Sequence, residues 1–283
     1  MSAPPYRPTH PPTGRLVRVR ALWELVIGGF RRWARYRVAT LTALLANSVF
    51  GLIRASLLLA AVQAAGGTVN GYTAASAATY VWVTQAMLGP VELWGSYPRE
   101  VGLRIKSGDF AVDLLRPAHP LAQWWATDLG RGASQLLPRF IPMMLVGAVT
   151  TGLVLPTQPW LWLAFLCSMV LANTLCLFCW LVVNLLGLWL VDIRGFLVFF
   201  MVVFNTLSGF LVPVQWFPDW LRTLVGHTFL PSMWQTPADL ATGLARGRVL
   251  EVLTTQLGWV LVLGLVVALV LRWGTRSLEV QGG

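Results

Sequence analysis

The sequence is short of charged residues and contains almost no lysine. Charged residues make up 11% of its 283 positions, whereas an average soluble domain carries about 25%. Hydrophobic residues make up 56%, and a soluble core cannot absorb that much apolar surface. The composition therefore excludes an ordinary soluble globular domain and predicts one membrane domain.

The sequence also lacks the motifs of common nucleotide-binding and hydrolytic sites. A phosphate-binding loop of the form GxxxxGK[ST] needs a glycine directly before its lysine, but the single lysine, Lys106, follows Ile105. No serine lies in a GxSxG motif. The residues that could still be combined into a hydrolytic triad are Ser232, His227 and Asp219 or Asp239. We therefore expect no enzymatic site and no cofactor on this chain, so that any ATP hydrolysis must come from another polypeptide.

Cysteine is scarce and does not indicate a metal site. Cys167, Cys176 and Cys179 lie in one apolar run, and the CxxC pair has no histidine near it. Because zinc usually takes four ligands, helix packing explains the pair better. We expect no bound metal.

Long apolar segments dominate the chain after a proline-rich leader at residues 1–14, which we expect to be disordered. A helix needs about 20 apolar residues to cross a hydrocarbon core about 30 Å thick. Six segments meet this requirement: 39–64, 73–94, 137–155, 159–191, 195–213 and 251–272. The sequence predicts an all-α integral membrane protein with six transmembrane helices, in which residues 15–283 form a single domain.

The basic residues are distributed unequally between the predicted connections. Six crossings place both termini on one side, which then carries seventeen of the 21 basic residues, against three on the other side. Such an excess marks the cytoplasmic side, so we expect cytoplasmic termini and a cytoplasmic 95–139 connection. The net charge of +10 is then explained by contact with anionic membrane lipid rather than with nucleic acid.

Residues 15–37 have the pattern of a helix that lies in the membrane surface. Trp23, Ile27 and Phe30 recur at helical spacing, while Arg20 and Arg31 share the other side. This pattern is typical of an interfacial amphipathic helix. The alternative is a simple cytoplasmic flank.

The cytoplasmic connection, at 95–136, contains a short helix with defined ends. Asp109 can accept hydrogen bonds from free amides at its start, and Pro117 cannot continue it. Phe110 and Leu114 form an apolar patch beside the charged Asp113. An exposed apolar patch with a charged rim is typical of a docking element. The alternative is that Phe110 and Leu114 lie under the helical bundle.

Polar residues inside the predicted spans are few. Arg54 lies within the first span, where a charge is costly unless it is paired or hydrated. The candidate pathway residues are Arg54, Gln85, Asn173 and Asn205. Pairing with a neighbouring helix or snorkelling would also explain Arg54, and interhelical hydrogen bonding is the default for the other three.

Three stretches resemble the ABC-2 type permeases, and specifically a bacterial branch of them. They are SGDFAVDLLRPAHPL from position 107, LSGFLVPVQWFPDWLRTL at 207–224 and LEVQGG at 278–283. The resemblance implies a six-helix permease that works as a dimer with two ATP-binding subunits, which hold ATP and Mg. It places these residues in the coupling region that contacts the ATPase: Gly108, Asp109, Phe110, Asp113, Leu114, Arg116 and Pro117.

The external connection, at 214–250, is aromatic and amphipathic but too short for two full crossings. It is typical of a re-entrant segment, which is tolerated where protein shields the backbone. The resemblance implies that it closes the outer mouth, and the candidate gate residues are Pro213, Trp216, Phe217, Pro218 and Trp220. The alternative is interfacial anchoring by tryptophan.

These observations favour a permease subunit of an ABC exporter in the bacterial cytoplasmic membrane. Its pathway would open at a dimer interface and carry a hydrophobic or amphipathic substrate, because charged positions inside the spans are few. The second permease could be an identical copy or a related chain. The rival functions are a membrane interaction subunit without a transport path and a channel that works without ATP.

Overall fold

The computed structural model describes residues 15–35, 37–114, 118–190 and 192–276, and this part of the chain is almost entirely helical. Its α-helices are α1 (Arg15–Ala34), α2 (Arg37–Ala64), α3 (Ala74–Met87), α4 (Ser96–Ser107), α5 (Phe110–Leu114), α6 (Pro120–Gln135), α7 (Ile141–Thr150), α8 (Pro159–Leu185), α9 (Arg194–Leu207), α10 (Asp219–Gly226), α11 (Gln235–Ala241) and α12 (Val249–Arg276). A two-stranded antiparallel hairpin, β1 (Thr68–Val69) and β2 (Tyr72–Thr73), joins α2 to α3. A π-helical turn, Leu136–Phe140, joins α6 to α7.

Four helices of the described chain are long and apolar enough to cross a membrane. They are Thr40–Ala64, Pro120–Thr150, Pro159–Leu188 and Arg246–Thr275. The other two predicted spans contain only α3 and α9, which have 14 residues each. Because 14 residues give about 21 Å of helix, neither crosses a core of about 30 Å alone. The count of six spans remains a prediction.

The start of the third span differs from the prediction. The third predicted span begins at 137, but its helix already starts at Pro120. Arg131 and Arg139, which the sequence places in the cytoplasmic connection, therefore lie in a candidate span. Without these two, the side expected to be cytoplasmic still holds fifteen basic residues, against three on the opposite side. The expected orientation therefore does not change.

The centre of the molecule is α3, in which every residue from Ala77 to Met87 is buried. It packs with α8 and α11 in one hydrophobic cluster that includes Tyr80, Trp180 and Trp234. The segment after α9 also enters this cluster, because Phe210 packs edge-on against Trp234 with ring centroids 5.2 Å apart. The external connection is thus part of the core and not an appendage on its surface. Apolar side chains of α2, α9 and α12 face outwards instead, as expected of helices that contact lipid.

The N-terminal helix α1 crosses α6 with its backbone in direct contact. A Cβ built at Gly130 of α6 would clash with the carbonyl oxygen of Val26, and one built at Gly29 would clash with the carbonyl oxygen of Thr127. The opposite side of α1 leaves Trp23 exposed. The two glycines therefore allow α1 to lie against the bundle while an aromatic side chain still faces outwards.

We expect Gly130→Ala to separate α1 from α6. The added methyl group cannot fit without a shift of backbone, so the variant should lose about 1–3 kcal/mol of unfolding free energy, measured by thermal unfolding in nanodiscs. Gly28→Ala is the matched control, because nothing lies within 4 Å of its Cβ position. Its stability should stay unchanged or rise slightly. Equal effects of the two substitutions would contradict the close crossing.

Candidate functional site

Residues 88–93, which follow α3, form a buried break in the helical structure. Arg131 donates hydrogen bonds to the carbonyl oxygens of Gly89 and Pro90, both at 3.2 Å. The Trp180 indole donates to the carbonyl oxygen of Leu93 at 2.9 Å. Irregular backbone is tolerated at membrane depth only where protein satisfies its polar groups. These side chains therefore permit the break.

Arg131 is also the centre of a buried ionic cluster. Its Nε lies 2.6 Å from a carboxylate oxygen of Asp128 and 3.4 Å from one of Glu92. Asn173 of α8 accepts from Arg131 at 2.7 Å and donates to Asp128 at 2.7 Å. The side chains of Arg131 and Asp128 are each 3% exposed. The cluster thus joins α6, α8 and the break, and it contains Asn173, one of the candidate pathway residues.

A second buried break, residues 208–213, follows α9. Arg54, which is 4% exposed, donates to the carbonyl oxygens of Phe210 and Leu211, the latter at 3.2 Å, and to the Thr84 hydroxyl at 3.3 Å. Its guanidinium lies over the Phe210 ring, 4.6 Å from the centroid. Tyr80 donates to the carbonyl oxygen of Gly209. Arg54 and Tyr80 therefore hold this break against α2 and α3.

The two breaks have the same construction but differ in charge. Each follows a 14-residue helix and has its carbonyl oxygens capped by an arginine from another helix. Arg131 is neutralised by Asp128 and Glu92. Within the described ranges, no carboxylate lies within 4 Å of Arg54. Arg54 thus remains a buried cation that only dipoles and an aromatic ring stabilise.

A polar cluster fixes the external connection. Asp239 of α11 accepts hydrogen bonds from the Tyr72 hydroxyl at 2.7 Å, from Gln235 at 2.7 Å and from Gln215 at 3.0 Å. Gln235 also accepts from the backbone amide of Val214 at 2.8 Å. The hairpin, α11 and the segment after the second break are therefore held together by hydrogen bonds.

The structure spreads the candidate gate residues over this region. Pro213 is buried, and Trp216 and Phe217 are partly buried. Trp216 contacts the Tyr72 ring edge-on, with centroids 6.0 Å apart. Pro218 is exposed just before α10, and Trp220 is exposed on α10. The role of all five residues as a gate remains a prediction.

Two other candidate pathway residues have no role in either break. Asn205 donates to the carbonyl oxygen of Met201 within its own helix, at 2.6 Å. Gln85 of α3 is 1% exposed, and its amide nitrogen lies 3.4 Å from the carbonyl oxygen of Asn47. Its amide oxygen is buried without a hydrogen-bond partner.

The coupling region differs from the expected exposed patch. Phe110 is 1% exposed and packs against Trp124 of α6, with ring centroids 5.8 Å apart. Asp113 is buried as well and pairs with Arg104 at 2.8 Å. The expectation that Phe110 is an exposed docking residue with Asp113 on its rim is therefore wrong, because both anchor α5 to its neighbours.

Arg116 and Pro117 lie outside the described residues, and so does the side chain of Leu114.

Other residues of this region do face outwards. Val112 is 55% exposed and Leu103 of α4 is 67% exposed. Lys106, Gly108 and Asp109 are exposed between them in sequence. We call these five residues the coupling surface. The exposed apolar side chain of α5 is therefore Val112 and not Phe110, and contact of this surface with an ATPase remains a prediction.

A polar cavity of about 170 Å³ lies behind the coupling surface, between α1, α4, α5 and α6. The ion pairs Arg32–Glu100 and Arg104–Asp113 line it, at 2.9 Å and 2.8 Å. Burial raises the pKa of Tyr97, another lining residue, to about 12, so its phenol stays neutral. The two ion pairs join α1 to α4 and α4 to α5 at this cavity.

Sequence reasoning missed Asp128, Arg131 and Arg139 as site residues. The apolar pattern places all three in the cytoplasmic connection. The available signal was the spacing of Asp128 and Arg131, which is that of an i, i+3 helical pair.

A comparison with protein families finds a match that covers most of the chain. The family model described as ABC-2 family transporter protein matches residues 49–282. No curated protein matches the chain.

Proposed function

The chain belongs to the ABC-2 family of transporter proteins, and from this premise we propose that it is the permease of an ATP-driven exporter in the bacterial cytoplasmic membrane. As a member of that family it is a membrane subunit without an ATPase of its own. The observation that carries the proposal is the family match over most of the chain, which includes both breaks and the coupling surface. Two ATP-binding subunits would supply ATP, Mg and the energy for transport.

The proposed permease has six spans. The segments around α3 and α9 would complete their crossings with the two breaks, whose backbone is buried in protein and capped. The external connection would be re-entrant, which agrees with its position in the core. Both termini would be cytoplasmic, as the basic residues indicate.

This topology predicts which residues can be labelled from each side. A cysteine introduced at Gly71 should react with an impermeant maleimide in intact cells, and one introduced at Ser107 only after the membrane is permeabilised. Both positions are exposed, so burial does not hide either of them. The reverse pattern would contradict the six-span arrangement.

Transport would occur at the interface of two permeases. The outward apolar faces of α2 and α9 would supply part of that interface, and the rest of each face would contact lipid. The second permease would be an identical copy or a related chain. The substrate would be hydrophobic or amphipathic, because the buried ionic groups at the two breaks already bind one another or backbone.

The coupling surface provides the test of this function. We expect Val112→Asp to reduce copurification of the ATP-binding subunit at least tenfold, because a charge placed in an apolar docking groove loses its hydration. The permease itself should stay folded, since Val112 is exposed. Phe110→Asp should instead reduce the yield of folded permease, because Phe110 is buried.

Val154→Asp is the matched control, because Val154 is equally exposed and lies in the α7–α8 connection. It should leave ATPase binding unchanged. If Val112→Asp binds the ATPase as well as the unmodified chain does, this surface is not where the ATPase docks.

A further inference from the structure

A third arginine, Arg139, lies in the candidate span Pro120–Thr150. It is half-buried, and its Nε is buried without a hydrogen-bond partner. In the described part of the chain, no carboxylate lies within 4 Å of it. Arg54 and Arg131 use their donors on backbone carbonyls, whereas the described chain gives the Arg139 guanidinium no hydrogen bond.

The depth of Arg139 in the span makes a guanidinium without hydrogen bonds costly. It lies eleven residues before the end of α7 at Thr150, which is about 16 Å along the helix axis. That distance is about half of a 30 Å hydrocarbon core. A cation at this depth indicates a functional role, since it otherwise destabilises the span.

The local structure around Arg139 is also unusual. It belongs to the π-helical turn Leu136–Phe140, a conformation that is rare and occurs frequently at functional sites. The turn packs on the first break, since a Cβ built at Gly89 would lie only 2.9 Å from the Cβ of Arg139. One turn before Gly89 is Gln85, whose buried amide oxygen also has no partner. Two polar groups without partners thus flank the same part of α3.

Glu92, at the first break, pairs with other groups and not with Arg139. The Glu92 carboxylate lies 3.4 Å from Arg131 and accepts from the Ser96 amide at 2.9 Å. Leu137 and Ile141, which flank Arg139, are exposed apolar side chains. A guanidinium binds carboxylate and phosphate oxygens through two parallel hydrogen bonds. A ligand that fits has an oxyanion headgroup and an apolar tail.

We propose that Arg139 binds the anionic headgroup of an amphipathic substrate as it passes through the permease. This rests on the proposed transport function and narrows its substrate class to alkyl chains that carry a carboxylate or phosphate. The π-helical turn places Arg139 beside the first break, and the exposed apolar flanks would receive the tail.

Photolabelling of the full-length chain in phosphatidylcholine nanodiscs tests the proposal. The probes are a diazirine fatty acid, an alkyl phosphate and a fatty alcohol of equal chain length, and mass spectrometry measures labelling of the peptide around residues 136–145. We expect about tenfold more labelling by an anionic probe than by the alcohol, as charge-assisted hydrogen bonds imply. Labelling by only one anionic probe identifies the headgroup as carboxylate or phosphate.

Four variants complete the test. Arg139→Gln should abolish the preference for anions, while Arg139→Lys should keep part of it and shows that the site still folds. Arg272→Gln, which removes an exposed arginine of α12, should change nothing. The double variant E92Q/R139Q should still lack the preference.

Two results would overturn the proposal. One is equal labelling of the unmodified chain by all three probes. The other is a preference for anions that persists in Arg139→Gln or returns in the double variant, since Arg139 would then only balance Glu92. The labelling requires neither an ATPase nor transport. Its result would therefore stand even if the chain were not an exporter subunit.

Discussion

Arg131→Met should lower the unfolding free energy of the permease by about 3–5 kcal/mol, because removal of one partner leaves a buried ionic cluster uncompensated. Asp128 and Glu92 would lose their common cation. The carbonyl oxygens of Gly89 and Pro90 would lose their donor at the same time. For a chain of this size, we expect the thermal unfolding midpoint in nanodiscs to fall by roughly 10 °C.

Neutral replacement of the whole cluster provides the internal control. The triple variant E92Q/D128N/R131M removes the buried charges together, so it should be more stable than Arg131→Met alone. Arg248→Met is the matched control for an exposed ion pair, because Arg248 and Glu251 lie 2.6 Å apart at the surface. That variant should lose at most about 1 kcal/mol. If Arg131→Met is no more damaging than Arg248→Met, the cluster does not hold the break.

Arg54→Met should release the second break and lower the unfolding free energy by about 2–6 kcal/mol. The carbonyl oxygens of Phe210 and Leu211 would become buried acceptors without a donor, and each such group costs about 1–3 kcal/mol. Arg54→Lys should recover only part of this loss, because an ammonium lacks the planar fork that reaches both carbonyls.

The effect of Arg54→Met should be local. Limited proteolysis should cut residues 208–217 faster than in the unmodified chain, because this segment then opens without the rest of the bundle. Arg222→Met is the control, since Arg222 pairs with the exposed Asp219, at 2.7 Å. Unchanged proteolysis in Arg54→Met would show that Tyr80 and the packing of Phe210 hold the break without the arginine.

Composition and the lengths of apolar runs were sufficient to predict a helical membrane protein. The match to the ABC-2 family over 49–282 confirms the family predicted from the motifs. These properties depend on the total apolar surface and on short local patterns, which one sequence contains in full.

The two breaks were harder to predict, because apolar residues continue through them. Residues 88–93 and 208–213 read as parts of longer spans. The available signals were Gly89-Pro90 and Ser208-Gly209, dipeptides that interrupt regular structure. A run of hydrophobic residues shows that a segment is buried, but not where its helix ends.

The candidate sites required tertiary information. Phe110 and Val112 have the same local pattern of apolar residues, but only the packing against Trp124 decides which of them is buried. Arg54 was recognised from its depth in a span, whereas the carbonyls that it caps lie more than 150 residues away. No local sequence pattern contains that contact.

The rate of ATP hydrolysis in a complex purified through a tag on this chain tests the central claim most directly. We predict that the tagged chain brings with it an ATP-binding subunit, that the complex hydrolyses ATP, and that an amphipathic substrate stimulates the rate. The same preparation with Val112→Asp should lack both the subunit and the activity. The account would be contradicted if the folded chain, reconstituted in liposomes with no ATPase bound, moved substrate at a rate independent of ATP.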